Sequence, residues 1–259
     1  MSINLEEGGS GGSGPGGGFN ARQLSRETAK QVTKLLPPFS YLLYGPSRSG
    51  KSHFLREIIR RKDSIISKKV SKVYYFYETY QTAAFEELEQ MLGSDIEFIH
   101  GMCTTEWLHT HIGLPPSEGR REYPMIIVDD HGNNATRDTE TIATTAVHHL
   151  ELIFFMVFHQ LYASNPVHRS ISNNATYLHL TSNKRDRAFL AVLARQLFGP
   201  SFSRVIVKIF IYATERMGEY GYLFFDLHQS TESMFKMRTN VFGERGGPPI
   251  VFVIDDVDV

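Results

Sequence analysis

The sequence predicts an α/β protein with a mainly parallel central sheet flanked by helices. Short apolar runs that end in Gly, Asp or Asn alternate with longer stretches whose apolar residues recur at every third or fourth position. This rhythm is typical of parallel strands joined by helices. Most of the apolar runs are continuous, as expected for strands that helices cover on both faces. With 41% hydrophobic and 21% charged residues, the chain can bury a substantial core.

The same pattern predicts an order of elements along the chain. The runs that we predict as strands cover residues 40–44, 72–77, 96–99, 125–128, 153–158, 177–180 and 222–225. The stretches that we predict as helices cover residues 52–61, 83–92, 139–150 and 186–197. Segment 204–212 is rich in β-branched residues, which also suits a strand, but we predict a buried helix there.

Glycine and proline mark the two ends of the chain. The first 18 residues contain 8 of the 21 glycines and little apolar surface, so we predict a flexible tail over residues 1–20. A Gly- and Pro-rich cluster at 243–249 marks the other end of the predicted domain. We therefore predict one folded domain over 21–245 and a C-terminal arm over 246–259.

Charge and cysteine content exclude several classes of protein. The formal net charge of −1 argues against a passive nucleic-acid coat protein, so any contact with DNA must be local. The single cysteine, Cys103, cannot form an internal disulfide or a cysteine zinc site, which indicates a reducing compartment. The apolar run at 152–158 is too short to cross a bilayer, and the N-terminus lacks the pattern of a signal peptide. We predict an intracellular protein without a membrane segment, in either the nucleus or the cytoplasm.

The clearest motif lies between the first predicted strand and the first predicted helix. It consists of Gly45, Pro46, Ser47, Arg48, Ser49, Gly50, Lys51 and Ser52, which fits the phosphate-binding loop pattern G-x-x-x-x-G-K-S. A strand before the loop and a helix after it would place backbone amides and the helix dipole against phosphates. Lys51 would then reach the β- and γ-phosphates, and the Ser52 hydroxyl would hold Mg²⁺. The sequence therefore predicts a nucleotide-binding loop, or P-loop.

A second motif, Pro124-Met-Ile-Ile-Val-Asp-Asp130, is an apolar strand that ends in two carboxylates. This is the layout of a Walker B strand. In that interpretation Asp129 supports Mg²⁺ through its water shell, and Asp130 orients or deprotonates the attacking water. The alternative is a buried strand that ends in a solvated turn.

Two short matches favour a different nucleotide. Asp129-Asp130-His131-Gly132 spells D-x-x-G, and Asn183-Lys184-Arg185-Asp186 spells N-K-x-D, as in GTPases. In a GTPase-type switch, Asn183 and Asp186 would read guanine. The two matches are short, and a GTPase does not account for the paired carboxylates.

Longer segments resemble viral DNA-packaging ATPases of the FtsK/HerA class, especially those of Polinton-like (Maverick) virus-transposons. The resemblance runs from about residue 39 to 245 and includes the P-loop segment and PMIIVDDH. It also includes AVHHLELIFFMVFHQLY, RSISNNATYLHLTSNKRDRAFLAVLARQLFGPS and GYLFFDLHQSTESMFKMRTNVFGE. The stretch that ends in LARQLFG and the later GYLFFDL and RTNVFGE segments are its more specific parts.

This resemblance implies a RecA-like P-loop motor that forms a homo-oligomeric ring and uses ATP and Mg²⁺ to drive double-stranded DNA into a capsid. A capsid or portal protein is an implied partner. The family's polar sensor falls at Gln160, or at His159 if counted back from Leu161. Arg185 is the first candidate for an arginine that acts on a neighbouring subunit, and Arg169 is the second. A cellular P-loop ATPase that acts on DNA remains an alternative.

Overall fold

The computed structural model describes residues 5–11, 18–129, 135–159, 166–183, 187–218, 220–243 and 247–254. The strands are β1 (Leu5–Gly11), β2 (Phe19–Leu24), β3 (Phe39–Tyr44), β4 (Lys69–Tyr77), β5 (Ile96–His100), β6 (Glu122–Val128), β7 (Ile153–Phe158), β8 (Tyr177–Thr181), β9 (Tyr222–Asp226), β10 (Met237–Thr239) and β11 (Ile250–Ile254). The α-helices are α1 (Arg26–Val32), α2 (Lys51–Arg60), α3 (Lys62–Ile65), α4 (Thr82–Leu92), α5 (Thr105–His111), α6 (Arg137–Thr141), α7 (Val147–His149), α8 (Pro166–Asn174), α9 (Arg187–Phe198) and α10 (Ser203–Ile211).

The α/β class that the sequence predicts is confirmed, and each predicted strand is present as one of β3 to β9. The predicted helix 139–150 consists of α6 and α7 joined by a π-helical turn, Ile142–Ala146. Segment 204–212 is helical, as predicted, and most of it belongs to α10. This helix buries one face, which contains Val205, Ile206, Ile209 and Phe210.

The described residues form two compact units. Unit A consists of the described residues within Lys34–Tyr44 and Gly50–Tyr177, and unit B consists of those within Met1–Thr33, Gly45–Ser49 and Leu178–Val259. The sequence-predicted boundaries at residues 20 and 245 stay a prediction.

Unit A contains a parallel sheet in the order β3, β7, β6, β4, β5. Every residue of β3 and β7 is buried, as expected for central strands with helices on both faces. Helix α2 turns Phe54, Leu55 and Ile58 inward, and Phe54 packs beside Tyr41 of β3 with ring centroids 6.1 Å apart. Because the strands are parallel, β3, β6 and β7 all have their carboxyl ends at the same sheet edge.

Unit B contains antiparallel pairs: β2 lies between β1 and β11, and β10 lies between β11 and β9. Arg238 of β10 and Asp226 of β9 form a buried ion pair, and Arg238 also donates to the Val32 carbonyl. A buried charge of this kind is tolerated because it is paired and hydrogen-bonded. Leu24, Phe235 and Val251 form a small apolar cluster in the same unit.

Within the described ranges, no helix combines the length and the apolar composition that crossing a bilayer requires.

Candidate nucleotide-binding site

The P-loop leaves the buried end of β3 and enters α2. Gly50 is the N-cap of α2 and has a φ of 91°, a left-handed conformation that glycine adopts without steric strain. The Phe54 amide donates to the Gly50 carbonyl over 2.9 Å, which closes the first helical turn. Among the described residues, no side chain caps this helix start. A helix N-terminus presents backbone N–H groups and the positive end of the helix dipole, which suit an anion such as a phosphate.

Lys51 and Ser52 occupy the first turn of α2, as the motif predicts. Lys51 is only 5% exposed, although lysine is among the side chains least often buried in proteins. The Ser52 side chain is half-buried. A lysine in the first turn of a helix suits a site that binds a highly charged anion, because its positive charge adds to the positive end of the helix dipole.

The first part of the loop lies against the end of β8. The Thr181 hydroxyl donates to Ser49 Oγ over 2.8 Å. A Cβ on Gly45 would lie 1.7 Å from Thr181 Oγ1 and 2.8 Å from Ser49 Oγ. Only glycine fits at position 45 without a shift of its neighbours, because Thr181 lies so close to it. The loop motif alone did not identify Thr181.

Gly45→Ala is expected to weaken nucleotide binding at least about 10-fold, because the new methyl group must displace Thr181 or the loop. Calorimetric titration with a non-hydrolysable ATP analogue measures this. Gly113→Ala is the matched control, since Gly113 also has a positive φ but a Cβ there meets nothing within 4 Å. Equal affinities for Gly45→Ala and the wild type would show that the close approach does not shape the loop.

Asp129 follows β6 and lies at the same sheet edge as the P-loop end of β3. Its side chain is 2% exposed, and its amide donates to the Phe76 carbonyl of β4 over 3.0 Å. The Tyr75 hydroxyl donates to Asp129 Oδ2 over 2.6 Å. The first carboxylate of the predicted Walker B strand is thus buried and held by the neighbouring strand.

Two of the other candidate catalytic residues, His159 and Arg169, lie among the described residues. Asp130, Gln160 and Arg185 lie outside the described residues. His159 directly follows β7 and is partly exposed. Since Phe158 pairs with Tyr44 in the parallel register, His159 lies at the sheet edge where β3 also ends. Arg169 is exposed on α8.

Helix α8 packs against the carboxyl ends of β3 and β7. The Tyr44 hydroxyl lies 2.7 Å from Ser172 Oγ, and Ser172 donates to the His168 carbonyl over 2.8 Å. The His168 ring packs edge-on against Phe158, with centroids 4.2 Å apart, and against Tyr44 at 5.7 Å. Burial lowers the pKa of His168 to about 4 and raises the pKa of Tyr44. Both side chains are therefore neutral at pH 7.

This buried histidine predicts a loss of stability in acid. Its pKa is lower in the folded state than in the unfolded state, so the unfolded chain binds the extra proton as pH falls below about 6.5. We expect about 2 kcal/mol of unfolding free energy to be lost between pH 7 and pH 4.5 through His168. Urea unfolding at both pH values measures it.

His168→Gln should flatten this pH dependence, whereas His109→Gln, a change at an exposed histidine, should leave it unaltered. An unchanged slope in His168→Gln would show that His168 is not the titrating group.

The described residues contain no cluster of three or more His, Cys, Asp or Glu side chains that could hold a metal ion.

Fold and loop together define the class of the chain: an α/β protein of the P-loop kind. Among solved structures of similar fold is the DNA-packaging ATPase B204 from Sulfolobus turreted icosahedral virus, at 10% identity and a TM-score of 0.47. The match covers 74% of this chain and 93% of that one. The genome-packaging NTPase B204 from Sulfolobus turreted icosahedral virus 2, in complex with AMPPCP, is 13% identical with a TM-score of 0.48. That match covers 75% of this chain and 95% of the other.

The cytoplasmic domain of the Thermomonospora curvata type VII secretion ATPase EccC is 16% identical, with a TM-score of 0.42. This match covers 57% of this chain and 20% of that one. No model of a known protein family matches the sequence, and no curated protein matches it either. Viral packaging ATPases are thus among the solved structures similar to this chain. The link to Polinton-like virus-transposons stays a prediction.

Proposed function

We propose that this protein is a Mg²⁺-dependent ATPase that assembles into a homo-oligomeric ring and moves double-stranded DNA into a viral capsid. One observation carries the ATPase part: buried Lys51 begins α2, which follows β3, and buried Asp129 directly follows β6, a strand that ends at the same edge of the parallel sheet as β3. The packaging part rests on the sequence resemblance over residues 39–245.

The side chains at this edge fit a magnesium ion. Mg²⁺ prefers oxygen ligands, takes few of them from protein and fills the remainder with phosphate oxygens and water. Ser52 offers a hydroxyl in the first turn of α2, and Asp129 offers a buried carboxylate at the end of β6. When bound, the ion would neutralise charge on the β- and γ-phosphates.

The remaining roles follow from the chemistry of phosphoryl transfer. Lys51 would place a positive charge on the transferred phosphoryl group, where negative charge increases in the transition state. Asp130 would orient or deprotonate the attacking water, and Gln160 or His159 would contact that water or the γ-phosphate. Burial of Lys51 and Asp129 strengthens their electrostatic effect, because there is little water to screen them.

Contacts with DNA are proposed to involve its phosphates and no particular sequence. The basic segment 56–72 is not a bare positive surface. Arg60 pairs with Glu57 and Glu87, Arg61 with Glu57, Lys69 with Glu122, and Lys72 with Glu97. These carboxylates offset much of the positive charge, so we do not assign DNA binding to this segment.

A ring of identical subunits would let Arg185 act on the nucleotide of a neighbour. Arg185→Ala should then keep nucleotide affinity but reduce turnover by about 10³-fold. Mixing it with Lys51→Ala should restore part of the activity, because a mixed ring can contain sites with an intact Lys51 next to an intact Arg185. Phosphate release across mixing ratios measures this, and the absence of rescue in confirmed mixed oligomers would contradict a role in trans.

Displacement of a third strand tests the motor function. A long duplex carrying a triplex-forming oligonucleotide is incubated with the protein and ATP, with GTP, or with a non-hydrolysable ATP analogue. ATP-dependent release of the oligonucleotide is the expected result. Nucleotide hydrolysis without release would exclude translocation, and release with GTP alone would favour guanine recognition by Asn183 and Asp186.

A further inference from the structure

We infer that Tyr75 is a positioning residue for Asp129, which sets the orientation of this carboxylate toward the magnesium–nucleotide complex. The inference rests on the proposed ATPase function and assigns one further residue a role in it. It starts from the 2.6 Å hydrogen bond that the Tyr75 hydroxyl donates to Asp129 Oδ2. Both side chains are 2% exposed, so water competes little for this contact.

Strand register explains why this position requires a tyrosine. Tyr75 pairs with Ile127, and Asp129 lies two residues further along the chain, directly after the end of β6. Two residues of strand span about 6.6 Å, a distance that a phenol can reach along the strand direction and that a serine or threonine hydroxyl cannot. At the next position, the Phe76 carbonyl accepts from the Asp129 amide. Two consecutive residues of β4 thus hold the backbone and the side chain of Asp129.

The aromatic surroundings keep the phenol in place. The Tyr75 ring packs against Phe85 of α4, with centroids 5.3 Å apart and planes at 61°. It also packs against Phe98 of β5 at 5.5 Å. Because the ring is confined from the helix and from the adjacent strand, its hydroxyl has a fixed position from which to donate.

A fixed donor on Oδ2 restricts rotation of the carboxylate and hence the direction of Oδ1. Hydrogen bonds to an ionised acceptor are shorter and stronger than those between neutral groups, and this one is short. Mg²⁺ tolerates little deviation from octahedral geometry. A residue that orients a carboxylate near such an ion should therefore change metal-dependent binding more than metal-free binding.

Tyr75→Phe tests this inference, because it removes the hydroxyl and keeps the packed ring. Calorimetry measures the affinity for a non-hydrolysable ATP analogue in excess Mg²⁺ and in EDTA. We expect about 10-fold weaker binding with Mg²⁺ and unchanged binding in EDTA. The Mg²⁺ concentration for half-maximal ATP turnover should rise by a similar factor. Tyr77→Phe is the matched control on the same strand, since its ring contacts Tyr80, Phe85 and His100, and it should behave as wild type.

A double-mutant comparison separates action through Asp129 from a general structural effect. If Tyr75 acts through the carboxylate charge, adding Tyr75→Phe to Asp129→Asn should change Mg²⁺-dependent affinity by less than about twofold. Unaltered Mg²⁺ dependence in Tyr75→Phe would overturn the inference, as would an equal loss of affinity with Mg²⁺ and with EDTA. A folded wild-type protein that binds no nucleotide would instead overturn the proposed function itself.

Discussion

Replacing Lys51 with alanine is expected to reduce ATP turnover by at least about 100-fold, the size of effect seen when one preorganised positive or donor group is removed from a transition state. Lys51 is 5% exposed and is the first residue of α2, at the helix terminus where anions bind. Alanine keeps the helix but removes the charge. Steady-state phosphate release at saturating ATP gives the loss in turnover, and calorimetry with an ATP analogue gives any accompanying loss of affinity.

Lys68→Ala is the control for that experiment, because Lys68 is an exposed lysine in the same compact unit. Without DNA it should hydrolyse ATP at the wild-type rate. A Lys51→Ala protein with more than half of wild-type turnover would show that the loop is not the site of hydrolysis.

Asp129→Asn is expected to have the second large effect, about 100-fold on turnover with Mg²⁺. The amide has nearly the same shape and can still accept from Tyr75, but it carries no negative charge for a divalent ion. The loss should therefore appear as a higher Mg²⁺ requirement as well as a lower maximal rate. Phosphate release measured across a Mg²⁺ titration separates the two effects.

Asp95→Asn removes one negative charge from an exposed position and serves as the control. It should match the wild type throughout the titration. If Asp129→Asn has the wild-type Mg²⁺ requirement and rate, the strand that ends in Asp129 is not a Walker B strand.

Local patterns were sufficient for the parallel sheet of unit A. Strands β3 and β7 are continuous apolar runs that become fully buried, and such runs are visible in the sequence without knowledge of their partners. The strand before the segment Gly45–Ser52 and the helix that begins at Lys51 were also predictable, because the spacing of its Gly, Lys and Ser residues is a local signature that implies both elements.

Contacts between distant segments were not predictable in this way. Strand β2 pairs with β11, although the two strands are more than 200 residues apart along the chain. The short strand β10 pairs with β11 and with β9. Neither the polar Phe19–Leu24 nor the three-residue Met237–Thr239 has a pattern that identifies it as a strand.

Two contacts of single residues in the candidate site were likewise not predictable from the sequence. In the sequence, Tyr75 belongs to an aromatic run that predicts only core packing. Its contact with Asp129 depends on the register between β4 and β6, which shifts between Val70 and Val73. Likewise, Thr181 ends an ordinary apolar strand, and its contact with Ser49 depends on tertiary packing.

Steady-state phosphate release with ATP and with GTP, each with and without long double-stranded DNA at low salt, tests the central claim most directly. A DNA-stimulated motor should prefer ATP and should hydrolyse it faster when DNA is present. GTP preference without an effect of DNA would contradict the packaging function and would make Asn183 and Asp186 the residues that read the base.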